Sequence, residues 1–334
     1  MTFSGPEAGR LGGTKPLREA VILAAGLGLR MRPVTSDWPK PAIPFLNRPI
    51  LHWILETLEG AGIQRVLINL HHLPNLVKAA AESFPGRMEF EFSYEPSILG
   101  TAGLYGPLRD SLRSESFLAV NGDVLGRFPF VRLEEELARH PQALAVLALR
   151  CGSRPYTPVE LYPGGLVRAF GRGDLMFAGA YAARRELLDY LPGPGPAELI
   201  PHLLVPLIPA GAIRGLVFEE PWDDLGDAAG YLAASLREVE DMARGLRAVP
   251  SGSSLVRVSD QPVLLHNAGS VDGDATVTGP AVVGEGARVS QGARFGRAVL
   301  LPRTNLAPGQ VLESAIASPS GRIIPNLAFE REQQ

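Results

Sequence analysis

A doubly wound parallel α/β sheet followed by a short left-handed parallel β-helix is the fold that this 334-residue chain predicts, on three observations. Short apolar runs alternate with amphipathic stretches from residue 19 to about residue 150. An apolar residue then recurs every six positions between residues 265 and 301. Finally, the glycine loop Gly26-Leu27-Gly28 follows the first apolar run, where the carboxyl end of a buried strand opens on a ligand crevice.

In chain order, the expected strands of the sheet are 20–25, 65–70, 89–94, 117–121 and 144–149, separated by amphipathic stretches as in a βαβ-type parallel sheet. Between them Ile50, Leu51, Ile54 and Leu58 form a helical stripe over 50–59, and 75–84 reads as a second helix. Strands at 159–162, 176–182 and 213–218 and a helix over 228–240 complete one domain, 18–240, behind a loose tail at 1–17. Pro250-Ser251-Gly252-Ser253 marks 241–262 as a linker. The coil occupies 263–325. In it Leu265, Val271, Val277, Val283, Val289, Phe295 and Leu301 recur at six, each followed four places later by Gly269, Ala275, Ala281, Ala287, Ala293, Val299 or Asn305. One inward apolar residue and one small residue per hexad suit a triangular coil of short strands.

Composition narrows the partners. A net charge of −3 argues against nucleic acid or an anionic membrane as the main partner, because both demand a basic face. The single Cys151 excludes a disulfide framework and a cysteine zinc site. The lone cysteine suits a reducing compartment, so the cytoplasm is the expected location, and residues 1–17 lack the apolar core of a signal peptide and no run of about 18 apolar residues occurs.

The loop carries the chemistry. Backbone N–H groups over Leu23, Ala24, Ala25, Gly26 and Gly28 can approach phosphate oxygens, while Arg30 and Lys40 can neutralise charge that amides alone cannot. A dinucleotide fingerprint needs a third glycine where Met31 stands. A Walker A loop needs Gly-Lys, yet the only lysines, Lys15, Lys40 and Lys78, follow Thr14, Pro39 and Val77. Arginine fills nearly all other basic positions, so Lys40, between Pro39 and Pro41, reads as a chosen point charge. Asp123 ends the apolar run Phe-Leu-Ala-Val-Asn-Gly-Asp, with Asn121 beside it, and Asp224 lies in Trp222-Asp223-Asp224-Leu225-Gly226. His71 and His72 read as loop elements rather than bases. His266, at the head of the coil, leaves little room for an acyl-transfer centre.

Positions 26–41 resemble the N-terminal signature of the sugar-1-phosphate nucleotidyltransferases, Gly-x-Gly-x-Arg-Met-x-Pro followed by Pro-Lys-Pro, with Leu29 where the family often carries a small or polar residue. The resemblance extends over about 19–305. It implies a Rossmann-like nucleotidyltransferase domain, a nucleoside triphosphate and a sugar 1-phosphate as substrates, and Mg²⁺ as the cofactor held by Asp123 and Asp224. Asp223 competes with Asp224, but the spacing to Trp222 and Gly226 matches the family's Trp-x-Asp-x-Gly. Arg30 and Lys40 take the phosphate-binding roles. Glu95, followed by Gly100, Thr101 and Ala102, corresponds to the nucleobase segment, and Gly179 to a sugar-contacting turn. The Leu-Gly-Thr-Ala-Gly variant is similar to the mannose-1-phosphate guanylyltransferase branch, which favours GTP. The family's Phe-x-Glu-Lys-Pro is absent: no lysine follows Lys78, leaving Arg168 or Arg172 for the sugar phosphate. That gap keeps open a uridylyl- or thymidylyltransferase, as in the N-acetylmuramate 1-phosphate branch, or a silent regulatory paralogue. The coil implies a homo-oligomer.

Overall fold

The computed structural model describes residues 18–152, 156–319 and 323–325, so the tail expected at 1–17 lies outside the described residues. At its centre a nine-stranded sheet comprises β1 (Glu19–Leu23), β2 (Arg65–Leu70), β3 (Glu89–Tyr94), β4 (Ser116–Asn121), β5 (Ala145–Cys151), β6 (Pro158–Leu161), β7 (Val167–Phe170), β8 (Leu175–Arg184) and β9 (Ile213–Val217). The strands run in the order β3-β2-β1-β4-β8, and β8 pairs beyond that with both β5 and β6, which carry β9 and β7.

Successive residues of β1 enter different cores. Ala20 and Ile22 join α1 (Ile50–Gly60), α2 (Pro74–Glu82), α3 (Phe130–Arg139) and α4 (Ala228–Ala243), whereas Val21 packs with Leu104, Tyr105 and Leu203 on the other face. Both faces being covered, the strand reads as an unbroken apolar run. Burial of each such aliphatic side chain contributes about 1.5–3 kcal/mol.

β1 to β4 are parallel, Ala20 pairing with Val66 on one side and Leu118 on the other. The next strand in sequence lies on one side of β1 and β4 on the other, so a crevice opens between the carboxyl ends of β1 and β4. Beyond this half the sheet is mixed, with β9 still parallel to β5. β8 runs antiparallel to β4, β5 and β6, because the chain returns from β5 through the β6–β7 hairpin rather than a crossover helix.

Two further expectations are corrected at the C-terminal end. The linker expected at 241–262 is interrupted by regular structure: α4 runs to Ala243, and Ser253–Val258 pairs antiparallel with Gln261–His266. Leu255 and Val256 are drawn into the hydrophobic cores on either side of that hairpin. In the parallel coil that follows, three faces stack with uneven steps. Val263 pairs with Ala281, 18 positions on, but Ala281 pairs with Ala298, only 17 on. One residue fewer shifts the phase, so Leu300, Leu306 and Leu312 continue the inward row after Phe295. Leu301 and Val299 instead face the core shared with α4, and Asn305 is exposed. That outer face, with Leu264, Val282 and Ile316, seats the coil on α4. Among the described residues no helix is long and apolar enough to cross a membrane.

Candidate active site

The crevice between β1 and β4 is lined from both strand ends. Gly122 donates its N–H to the Leu23 carbonyl at 2.9 Å, and a Cβ at this position would lie 2.8 Å from that same oxygen. Only glycine allows the two strand ends to meet so closely, and the chain then emerges with Asp123 at the crevice. Asp123 leads into a two-stranded ribbon, Val124–Gly126 with Trp222–Asp224, in which Asp224 pairs with Val124 and Leu225 N–H donates to the Asp123 carbonyl at 3.0 Å. This register brings two carboxylates distant in sequence together. Along the ribbon side chains alternate, so Asp223 turns to the rear, paired with Arg237 at 2.6 Å, and Asp224 faces the crevice.

The cations come from short turns with anchored neighbours. Met31 is fully buried beneath the turn Leu29–Met31 and leaves Arg30 outward; Pro41 and Ala42 are buried beneath Lys40–Ala42. Lys40 Nζ donates to Asp123 Oδ2 at 2.8 Å and to the Gly226 carbonyl at 3.2 Å. Asp224 Oδ1 accepts from Gly226 N–H at 2.6 Å. Burial, then the charge of Asp123, push the Asp224 carboxyl above the usual carboxylate range, against the Gly226 N–H, the Tyr156 hydroxyl and Arg30. Burial, then the charge of Asp224, push Tyr156 up to about 12.

Even with Lys40 on Asp123 and Arg30 nearby, burial and the charge of Asp123 keep the Asp224 carboxyl raised, and a divalent cation fits between the two carboxylates. Among the described residues no cluster of three or more His, Cys, Asp or Glu is placed to hold a metal. Two carboxylates completed by ligand oxygens and water suit Mg²⁺ rather than a metal caged by protein alone.

Two cavities meet at Asp123. The first, of about 280 Å³, is lined by Leu23, Ala24, Ala25, Gly26, Gly28, Lys40, Glu95, Gly100, Thr101, Asn121 and Asp123, among others. The second, of about 300 Å³, is lined by Arg30, Asn121, Asp123, Tyr156, Gly179, Trp222 and Asp224, among others. Asn121 and Asp123 belong to both.

Two residues expected at the site are not brought to it. Ala102 is fully buried and gives its N–H to the Ala197 carbonyl at 2.8 Å, because the Gly100–Gly103 turn packs inward there. Arg172 lines neither cavity. The β6–β7 hairpin holds it against Glu160, Nε to Oε2 at 2.7 Å, and Arg168 pairs with the same carboxylate at 2.8 Å. Arg30 is the cation lining the second cavity among the described residues.

Glu95 lines the first cavity, but its carboxylate is engaged: Asn69 Nδ2 donates to Oε1 at 2.7 Å and Leu99 N–H to Oε2 at 2.9 Å. Asn69 Oδ1 in turn accepts the Ala24 N–H at 2.6 Å, tying the glycine loop to β2. Sequence reasoning missed Asn69, although an amide inside the apolar run of β2 was the available signal. It also missed Tyr156 and Glu198, which carry no local signal. His71 and His72 sit 2.8 and 2.7 Å from the Glu95 and Thr35 carbonyls as loop elements, the role expected of them.

A Rossmann-like sheet whose switch point gathers two carboxylates, a lysine and an arginine between two cavities defines a nucleotide-handling α/β protein. The chain belongs to the sugar-1-phosphate nucleotidyltransferase family: the Nucleotidyl transferase family model matches residues 19–170. Mannose-1-phosphate guanylyltransferase 1 of Arabidopsis thaliana is 26% identical over 227 residues, 64% of this chain and 63% of that protein, so the match spans less than two thirds of that relative's length. N-acetylmuramate alpha-1-phosphate uridylyltransferase of Neisseria meningitidis serogroup B is 31% identical over 192 residues, 55% of this chain and 83% of that one. Among solved structures, HddC from Yersinia pseudotuberculosis aligns with a TM-score of 0.59 at 20% identity, over 66% of this chain and 99% of that one, a likeness of fold.

Proposed function

We propose that this chain transfers a nucleotidyl group from a nucleoside triphosphate to a sugar 1-phosphate, with GTP and mannose 1-phosphate as the favoured pair. The observation that carries this reading is the juxtaposition of Asp123 and Asp224, flanked by Lys40 and Arg30, where two cavities join. In the reaction an oxygen of the sugar phosphate bonds to the α-phosphorus and the bond to the α–β bridging oxygen breaks, releasing pyrophosphate. Asp123 and Asp224 would hold Mg²⁺, which would neutralise the phosphate oxygens. The Gly26–Gly28 backbone orients the triphosphate, and Lys40 and Arg30 stabilise charge building on the leaving group. The attacking phosphate is already ionised, so no general base is required, in keeping with His71 and His72 being held by backbone carbonyls.

The Arabidopsis guanylyltransferase supports the favoured pair, and the Neisseria relative supports a second reading, transfer of a uridylyl group. A cytoplasmic setting and self-association through the coil complete the proposal.

Pyrophosphate release with Mg²⁺ across a matrix of nucleoside triphosphates and sugar 1-phosphates is the test. Fastest turnover is expected with GTP and mannose 1-phosphate; fastest turnover with UTP transfers the assignment to the second reading, and no turnover with any pair overturns both. Asp123→Asn should abolish metal-dependent turnover while leaving the melting temperature of the ligand-free protein close to wild type. Full activity in that variant would refute the metal assignment.

A further inference from the structure

One wall of the first cavity is built by Ile98, Gly100, Thr101, Leu104 and Glu198. Glu198 arrives from a distant segment that docks on the Gly100–Gly103 turn: Ala102 and Gly103 N–H donate to the Ala197 carbonyl at 2.8 and 3.0 Å, and Ala197 N–H to the Leu99 carbonyl at 2.8 Å. Gly100, at φ +76°, makes the docking possible, since a Cβ there would lie 2.6 Å from the Ala197 carbonyl and 2.9 Å from Glu198 Oε1.

The polar side chains around this wall are occupied within the protein, with one exception. Glu95 accepts from Asn69 and Leu99, and Asn69 accepts from Ala24. Thr101 Oγ1 donates to Glu198 Oε2 at 2.6 Å and accepts from Leu199 N–H at 2.8 Å. Glu198 Oε2 is thereby engaged, whereas Oε1 has no hydrogen-bond partner among the described residues. What the wall offers a ligand is an acceptor-only carboxylate oxygen beside the apolar Ile98 and Leu104.

We propose that Glu198 is the specificity-determining residue for the base and that it selects guanine. Guanine presents a ring N1–H and a 2-amino group as adjacent donors on one edge, a match for a carboxylate. Uracil flanks its ring N–H with two carbonyls, and adenine and cytosine place a ring acceptor beside their amino group, so each sets lone pairs against Glu198. The biological meaning of this selection rests on the nucleotidyl-transfer reading, but base recognition is measured without turnover.

Calorimetry of the full chain with Mg²⁺ and no sugar phosphate, titrating GTP, ITP and UTP, provides the test. ITP lacks only the 2-amino group. Wild type should bind GTP on the order of tenfold to a hundredfold tighter than ITP or UTP, the range for a hydrogen bond to a charged group. Glu198→Gln can still accept from Thr101 but brings an amide donor, and the GTP-to-ITP ratio should fall towards one. Equal affinities for GTP and ITP in wild type overturn the proposal with no variant needed, as does unchanged discrimination in Glu198→Gln. Selective GTP binding without pyrophosphate release removes the transfer reading and sustains the role of Glu198; no nucleotide binding at all removes both.

Discussion

Replacing Gly122 by alanine tests whether contact between the ends of β1 and β4 places the carboxylate of Asp123, proposed to act in catalysis. The added Cβ would sit 2.8 Å from the Leu23 carbonyl oxygen and 3.3 Å from Pro41 Cγ, where ordinary contact begins near 3.4 Å. The backbone must therefore retreat by about 0.6 Å, weakening the 2.9 Å bond from Gly122 N–H to that oxygen. Overpacking of this kind costs about 1–3 kcal/mol, a fall of roughly 2–6 °C in Tm. Asp123 is the next residue, and its displacement should lower kcat by roughly tenfold to a hundredfold, since misplacement of a catalytic group by about 1 Å can cost 10². Calorimetric melting and pyrophosphate release measure the two effects. Gly60→Ala is the control: it lies in α1 with nothing within 4 Å of the added Cβ, and should stabilise by about 0.4–1 kcal/mol. Wild-type Tm and kcat in Gly122→Ala would refute the reasoning.

His52 should make the fold acid-sensitive. Its ring is buried against Phe84 with Nε2 2.8 Å from the Ala80 carbonyl, and burial foremost, with Arg48 adding to it against the Ala80 hydrogen bond, holds its pKa below the usual 6.5. The unfolded chain then takes up the proton first, so stability present above pH 6.5 is lost as pH falls below it. His52→Gln should show a smaller drop in Tm between pH 7.5 and 5.5, and an equal drop in both proteins would remove His52 as the cause. At the site, Arg30→Ala should lower kcat about tenfold or more, the worth of a charge-assisted contact to the leaving group, while Arg172→Ala leaves kcat and the KM for the sugar phosphate near wild type. The reverse order in steady-state kinetics would restore the role expected of Arg172 from sequence.

The residues legible in advance were those whose surroundings are local. The apolar runs of β1 and β2 announce strands covered on both faces, and Gly26 and Gly28 announce a loop at a strand end, because burial and backbone freedom are imposed residue by residue. Arg172 misled because a cation near the right place in sequence carries no record of its partner, and Glu160 claims it across the β6–β7 hairpin. The inward row of the coil was readable as far as Phe295. A single shortened step then moved Leu300 inward and Leu301 outward, a phase change detectable only from the pairing of successive turns.

Periodic burial and a glycine loop at a strand end are thus properties of short segments, and the chain declares its α/β sheet, its coil and its family through them. Whether Asp123 stands beside Asp224, and whether Glu198 reaches the wall of the first cavity, depends on strand register and on the docking of segments about a hundred residues apart. Those placements are set by packing free energy summed over the whole fold, which no local pattern of residues records.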